Sequence, residues 1–355
     1  MTFLYNRFSK EELKKRLKEE TFRRRTISFY RYFYLDDPQD FRNQIYLAWD
    51  KLGCFGRIYV AREGINAQMS VPEHRWDEFY EGLKNWVIFE NIPIKFAVED
   101  DGKSFYKLTV KVRPKLVADG LTHDEYDVTN VGKHLDAMEF HELVAKPGTV
   151  VVDMRNHYES EVGHFEGAIC PDADTFRDEI RMVEDQLKEQ KDQKILLYCT
   201  GGIRCEKASA YLRNKGFNDV NQLYGGIIEY AQQVKKAGIQ SRFIGKNFVF
   251  DERLGERISD EIISRCHQCG AICDTHTNCA NDDCHLLFIQ CADCASQYDG
   301  CCSEECKTVK SSSEEEKLVY RKRLHEKYSR SKIFRSRLRP DLRKITEVSV
   351  FTDKE

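Results

Sequence analysis

The spacing of apolar and polar positions changes several times along the chain, and each change marks an expected element. Residues 9–20 are charged apart from Leu13 and Leu17, one helical turn apart, and Ser9 and Glu12 have capping-box spacing. A short exposed N-terminal helix is expected there. Thr26–Leu35 is rich in Ile, Phe and Tyr and predicts a strand. Asp36–Pro38 breaks it, and Phe41–Leu52 predicts a helix. Gly56–Ala61 and Ile65–Val71 read as strands around the turn Arg62-Glu63-Gly64. Pro72 opens a helix to about Trp86. Ile92–Val98 and Phe105–Val112 read as strands on either side of Asp100-Asp101-Gly102-Lys103. The order βαββαβ plus one strand predicts a ferredoxin-like α/β sandwich over residues 1–120, a fold that names no activity by itself.

The period changes again after a connection. Glu139–Val144 predicts a short helix, Thr149–Asp153 a buried strand and Phe176–Glu189 a helix. Lys194–Cys199 reads as a second buried strand, Glu206–Lys215 as a helix and Val220–Tyr224 as a further strand. Alternating β and α predicts a parallel sheet with helices on both faces, over residues 130–235. Residues 243–306 lack long apolar runs, and residues 307–355 form a polar and then basic tail, helical or disordered.

With 355 residues, of which 41% are hydrophobic and 32% charged, the chain is long enough for two or three cores. No apolar run approaches the roughly 18 residues of a membrane span, and the first residues lack the apolar stretch of a secretion signal. A cytoplasmic protein with no membrane partner is expected. The net charge of −3 hides an uneven distribution: residues 317–344 carry twelve Lys or Arg against Glu326 and Asp341. Such a segment attracts phosphates, with a solvated surface as the plain alternative. Lys107, Lys111, Arg113 and Lys115 form a second basic run whose shared parity would put them on one side of an extended segment, again either for RNA or merely solvated.

The chemistry concentrates in KILLYCTGGIRCEKASA, residues 194–210. A buried strand ends at Cys199, the loop Thr200-Gly201-Gly202-Ile203 can turn tightly, and a helix follows Arg204. Successive backbone N–H groups in such a loop form an anion nest, and the helix adds its positive end. A thiol at that mouth is favoured as thiolate, the nucleophilic form. The plain alternative is a buried structural cysteine before a turn. Arg204 faces either a bound anion or a structural acid. Cys205 is either a resolving thiol or a core position at the helix start.

C-T-G-G-I-R resembles the active-site loop of the rhodanese (sulfurtransferase) superfamily. Val152-Asp153-Met154-Arg155-Asn156, Glu159 with Gly163-His164-Phe165-Glu166-Gly167-Ala168, and Leu223-Tyr224-Gly225-Gly226-Ile227 resemble further motifs of that superfamily, in order. The resemblance implies that Cys199 is the reacting thiol, with Asp153 and Arg155 as polar supports. His164 reads as a structural turn residue rather than a base. Thr200 stands where several thiosulfate-using members carry a basic residue.

Ten of the fourteen cysteines lie between Cys266 and Cys306: Cys266, Cys269, Cys273, Cys279, Cys284, Cys291, Cys294, Cys301, Cys302 and Cys306, with His267, His276 and His285 among them. In a reducing compartment this density reads as metal binding before disulfides. Ten cysteines suffice for two structural zinc sites of four thiolates, with two left over. Free thiols, disulfides and an iron–sulfur cluster are the alternatives.

Thr26–Tyr30, Glu63–Gln68, Asp100–Phe105, Phe243–Asp260, His267–Gly270 and His285–Cys291 accompany the rhodanese motifs. Together they are similar to the bacterial tRNA uridine 5-hydroxylase family over about residues 1–306. That resemblance implies oxygen-dependent conversion of uridine 34 of tRNA into 5-hydroxyuridine, with molecular oxygen as cosubstrate and the anticodon loop as partner. No flavin, nicotinamide or iron facial-triad motif is recognisable, so the sequence names no reductant, and it leaves the oligomeric state open. A persulfide sulfurtransferase and a noncatalytic RNA-binding adaptor are the alternative functions.

Overall fold

A computed structural model describes residues 4–6, 8–122, 125–284 and 286–328. Helix α1 spans Lys10–Glu19; the Ser9 side chain accepts from the Glu12 N–H, and Leu13 and Leu17 are its buried residues. Strands β1 (Arg24–Tyr32), β2 (Phe55–Ala61), β3 (Gly64–Pro72), β4 (Lys95–Phe96) and β5 (Leu108–Val112) form one sheet in the order β4-β1-β3-β2-β5. Helices α2 (Pro38–Lys51) and α3 (Trp76–Leu83) supply Ile45, Trp49, Phe79 and Leu83 to a core with Ile27, Phe29, Ile58 and Met69 of the sheet. Side chains alternate along a strand. Ser28, Tyr30 and Tyr32 therefore take the face away from that core.

Three predicted elements shrink, the Phe105–Val112 strand to Leu108–Val112 among them. The Ile92–Val98 strand is reduced to Lys95–Phe96, because Pro93 has no N–H to give a ladder. Ile92 and Ile94 still pack against the core. The helix expected from Pro72 starts as a 3₁₀ turn, Glu73–Arg75, and becomes α-helical only at Trp76.

The second half contains β6 (Lys133–Leu135), α4 (Ala137–Val144), β7 (Thr149–Asp153), α5 (His157–Ser160), β8 (Gly163–Phe165), α6 (Phe176–Leu187), β9 (Lys194–Tyr198), α7 (Ile203–Asn214), β10 (Asp219–Leu223) and α8 (Gly226–Ala237). A parallel sheet runs β6-β10-β9-β7. Alternation along β9 sends Ile195 and Leu197 to a core with Ile180, Val183 and Leu212 of α6 and α7. Leu196 and Tyr198 join Phe140, Ile227 and Tyr230 of α4 and α8 on the other face. Helix α8 follows Gly225-Gly226, a pair whose glycines look like the end of an element in the sequence.

The cysteine-rich region belongs to a second compact unit, residues 161–163, 244–246 and 260 onward. Strands β11 (Phe243–Asn247) and β12 (Glu256–Arg257) precede an antiparallel pair, β13 (His276–Asn278) and β14 (Leu287–Ile289). Helices α9 (Ala292–Gln297), α10 (Glu304–Ser311) and α11 (Glu314–Tyr328) follow. The first part of the basic tail is thus helical; residues 329–355 lie outside the described residues. Among the described residues no helix is long and apolar enough to cross a membrane.

A buried cation joins the two sheets' domains. Lys207, on α7, is 0% exposed. Its Nζ lies 2.9 Å from each Glu63 carboxylate oxygen and 2.5 Å from Asp119 Oδ2. Glu63 sits in the β2–β3 turn and also accepts from the Leu116 N–H at 2.6 Å. Asp119, on the connection, accepts from Lys115 Nζ at 2.7 Å and the Leu121 N–H at 2.9 Å. Removing one member of a buried pair strands its partners at a cost of roughly 3–5 kcal/mol. Lys207→Met should therefore lower the unfolding free energy of the full chain, read from urea denaturation, by a matching amount. A loss below about 1 kcal/mol would mean that the cluster contributes no more than a surface pair.

Candidate functional site

Cys199 is the first residue beyond β9 and is 1% exposed. Gly202, with φ of +96°, turns the loop so that its N–H donates to the Cys199 sulfur at 3.1 Å. The backbone N–H groups of Arg204 and Cys205 point to the same sulfur at the start of α7. The loop is therefore an anion nest whose occupant is the thiol itself. Burial pushes the Cys199 thiol up, but the Cys205 thiol, the Arg204 charge and the backbone donors outweigh it and hold it at about 6. Burial first, and then its bond to Cys199, pushes the Cys205 thiol well above the ordinary range, so Cys205 stays protonated and donates.

The loop is also held from the side. The Ile227 and Ile228 N–H groups at the start of α8 donate to the Cys199 and Thr200 carbonyl oxygens at 3.0 and 3.2 Å. A Cβ at Gly226 would stand 2.5 Å from the Cys199 carbonyl oxygen and 2.7 Å from the Gly201 nitrogen. Only glycine permits that approach.

Arg204 faces a structural acid: its guanidinium donates to both oxygens of the buried Glu159 at 2.6 and 2.9 Å. Thr200 Oγ1 points to the same carboxylate at 3.5 Å. Asp153 and Arg155 form a fully buried bidentate pair at 2.8 and 2.7 Å, and Tyr198 donates to Asp153 at 2.8 Å beneath the sheet end. His164 Nδ1 lies 3.0 Å from the Ser160 carbonyl oxygen, a turn contact away from the sulfur's own partners. Cys205 is a core position at the helix start, in contact with Cys199.

Sequence reading missed the residues that cover the loop. Tyr30 donates to Glu206 at 2.9 Å, and a Cβ at Gly202 would meet its hydroxyl at 2.9 Å. Tyr32 donates to the Ile203 carbonyl oxygen at 3.3 Å. Lys95 Nζ lies 4.7 Å from the Tyr30 ring centre, and a Cβ at Gly201 would meet Lys95 Cε at 3.6 Å. Burial pushes the Lys95 ammonium down to about 8, against the neighbouring Cys199, Glu229 and Glu206 charges. These side chains border a cavity of about 370 Å³ with His134 and Tyr224. Alternation on β1 could have flagged Tyr30 and Tyr32 as the face opposite the core. Nothing local in the sequence distinguishes Lys95.

Of the basic run, Lys107, Lys111 and Arg113 are exposed, while Lys115 turns inward to Asp119. It leaves the common side because β5 ends at Val112 and Pro114 follows.

Eight of the ten clustered cysteines gather into two sets: Cys266, Cys269, Cys291 and Cys294, and Cys279, Cys284, Cys302 and Cys306. Sulfur–sulfur distances are 3.6 Å for Cys269–Cys291, 3.8 Å for Cys284–Cys302 and 3.6 Å for Cys302–Cys306. Four sulfurs at roughly 2.3 Å from one ion would lie about 3.8 Å apart, so each set can hold a single tetrahedral metal ion. Backbone N–H groups of Cys291 and Cys302 donate to Cys266 and Cys279 at 3.3 and 3.4 Å, which suits thiolates. Cys273 and Cys301 are the two left over. His267 and His276 belong to neither set, and His285 lies outside the described residues.

Residues 24–116 match the UPF0176 acylphosphatase-like domain, 136–233 the rhodanese-like domain and 244–307 the rhodanese C-terminal domain. A protein of Leptospira interrogans called tRNA uridine(34) hydroxylase is 55% identical over 93% of this chain and 91% of its own length. Proteins of the same name from Yersinia pestis and Yersinia pseudotuberculosis are 55% identical over 86% of this chain and 86% of theirs. With that identity over most of the chain, and with the acylphosphatase-like, rhodanese-like and rhodanese C-terminal domains all matched, the chain belongs to the tRNA uridine(34) hydroxylase family.

Proposed function

We propose that this protein hydroxylates carbon 5 of uridine 34 in the tRNA anticodon loop, with Cys199 as the reacting thiol and molecular oxygen as cosubstrate. The observation that carries the reading is the placement of Cys199, buried at the mouth of a loop whose Gly202 N–H donates to its sulfur at 3.1 Å, in a chain 55% identical to proteins called tRNA uridine(34) hydroxylase. Carbon 5 of uracil is a weak nucleophile. Addition of the thiolate to carbon 6 forms a C–S bond and makes carbon 5 electron-rich, ready to accept oxygen. One atom of O₂ enters the base and the other leaves as water, with two electrons and two protons from a reductant. The catalytic loop supplies binding and charge stabilisation for the sulfur; Asp153, Arg155 and Glu159 position it.

Exposed Lys107, Lys111 and Arg113 suit phosphate contacts, which orient RNA without reading its sequence. Lys115 is committed to Asp119 and is withdrawn from that set. The two four-cysteine sets fit structural zinc, each closed by protein thiolates with no open position for substrate. A cytoplasmic setting supplies both tRNA and reduced thiols.

In a host that lacks 5-hydroxyuridine, expression of the wild-type chain should bring the nucleoside into tRNA, read by nucleoside mass spectrometry. Cys199→Ser should give none. Unmodified tRNA with vigorous thiosulfate turnover by the purified protein would instead select sulfur transfer. Turnover should rise with pH with a midpoint at about 6 as Cys199 ionises. Cys205→Ala removes a donor to the thiolate and should move that midpoint upward; an unchanged midpoint would show that Cys205 does not tune the sulfur. Elemental analysis should give two zinc ions per chain, one in Cys294→Ser and two in Cys273→Ser. Loss of metal from Cys273→Ser would overturn the assignment of ligands.

A further inference from the structure

Lys95 is expensive to bury. It is 6% exposed, and among the described residues no carboxylate forms an ion pair with it. Its ammonium lies over the face of Tyr30, with Nζ 4.7 Å from the ring centre, and near the charges of Cys199, Glu229 and Glu206. Its Nζ is not one of the buried polar atoms sealed off without a partner; the ammonium opens onto a cavity, where its donors can serve a ligand's acceptor. The side chain lines the cavity of about 370 Å³ and touches the Cys199 loop at Gly201. That volume falls within the roughly 300–1,000 Å³ of small-ligand sites. Tyr30 also borders both the cavity and the loop, at Gly202. Tyr224, which is 44% exposed, stands at the cavity wall edge-on to His134 with ring centres 5.8 Å apart. Glu229 lines the cavity and spends one oxygen on Gln233, at 2.7 Å.

Aromatic walls stack on a base turned out of a single strand. A uracil ring offers carbonyl oxygens as acceptors and one N–H as donor. Lysine can serve the first and a carboxylate the second. Cytosine replaces the carbonyl at carbon 4 by an amino group, a donor that would face the ammonium.

We propose that this cavity receives the extruded uracil of the RNA substrate and that Lys95 is a catalytic residue whose ammonium donates to the carbonyl oxygen on carbon 4. Glu229 accepts from the ring N–H. The inference rests on the hydroxylase reading and adds to it the pocket and the group that recognises the base. When the Cys199 thiolate bonds carbon 6, the C5–C6 π pair shifts to carbon 5 and through carbon 4 onto that oxygen. The Lys95 ammonium stabilises the resulting anion and keeps its proton; no electron leaves the sulfur–uracil pair in this step.

The test uses anticodon stem-loop RNAs that differ only in uridine or cytidine at position 34, bound to the full chain at fixed salt and followed by fluorescence anisotropy. Wild type should prefer the uridine RNA by about tenfold, which corresponds to about 1.4 kcal/mol. Lys95→Met, an uncharged side chain of similar length, should bind both RNAs equally with a melting temperature at or above that of wild type. Tyr224→Ala, at an exposed position, should weaken both by a similar factor. Equal binding of the two RNAs by wild type, or full discrimination by Lys95→Met, would overturn the proposal. The same proteins are scored for 5-hydroxyuridine in cells. Wild type that modifies tRNA without base discrimination sinks the pocket and leaves the activity standing. Wild type that discriminates yet modifies nothing sinks the activity and leaves the pocket.

Discussion

Lys207 has no exposure to water, and its ammonium is surrounded by Glu63 from the N-terminal sheet and Asp119 from the connecting segment. A charge in such a place is tolerable only while every oxygen around it stays in position. The cluster therefore fixes the β2–β3 turn, the chain from Leu116 to Leu121 and the helix that begins at Ile203, all at once. The Cys199 loop leads directly into that helix. Tyr30 and Tyr32 belong to the sheet whose turn carries Glu63. The cover over the sulfur is thus set by an ion cluster that touches neither the sulfur nor the cavity.

The loop resolves a conflict between two physical demands. A cysteine buried between a sheet end and an aromatic cover should hold its proton. A nucleophile should release it. The Cys205 thiol, the Arg204 charge and the backbone donors of Cys205, Arg204 and Gly202 decide the balance for the thiolate. Arg204 does this while its guanidinium is occupied by Glu159, so it contributes through its charge rather than through a free hand for substrate. Lys95 carries the opposite tension: burial favours its neutral form, and the surrounding Cys199, Glu229 and Glu206 favour the cation.

The parts of this molecule visible in the sequence are those coded locally. The strand ending at Cys199, the paired glycines of its loop and the alternating β and α segments each have a short-range signature. So do the paired cysteines, although spacing could not say that Cys266 and Cys269 join Cys291 and Cys294 rather than Cys279 and Cys284. What was not legible is non-local. Lys95 lies on a strand of two residues, and Tyr30 reaches Glu206 across a sequence separation of 176 positions. Lys115 shares its parity with the exposed Lys107 and Lys111, yet it folds back to Asp119 once the strand stops. The α8 helix escaped because the two glycines that admit it against the loop also look like the end of an element.

The two cysteine sets interlock along the chain: Cys279 and Cys284 of one lie between the halves of the other, whose Cys291 and Cys294 precede Cys302 and Cys306. Of the eight cysteines in these sets, a chain leaving the ribosome therefore presents Cys266, Cys269, Cys279 and Cys284 first. These four thiols could capture an ion together in a ligand set that the finished protein does not use. Correct assembly requires that early capture be reversible until Cys294 and then Cys306 emerge. For two sets able to hold an ion each, the order of synthesis and the pairing of the thiols are at odds, so folding around metal would call for ion exchange as well.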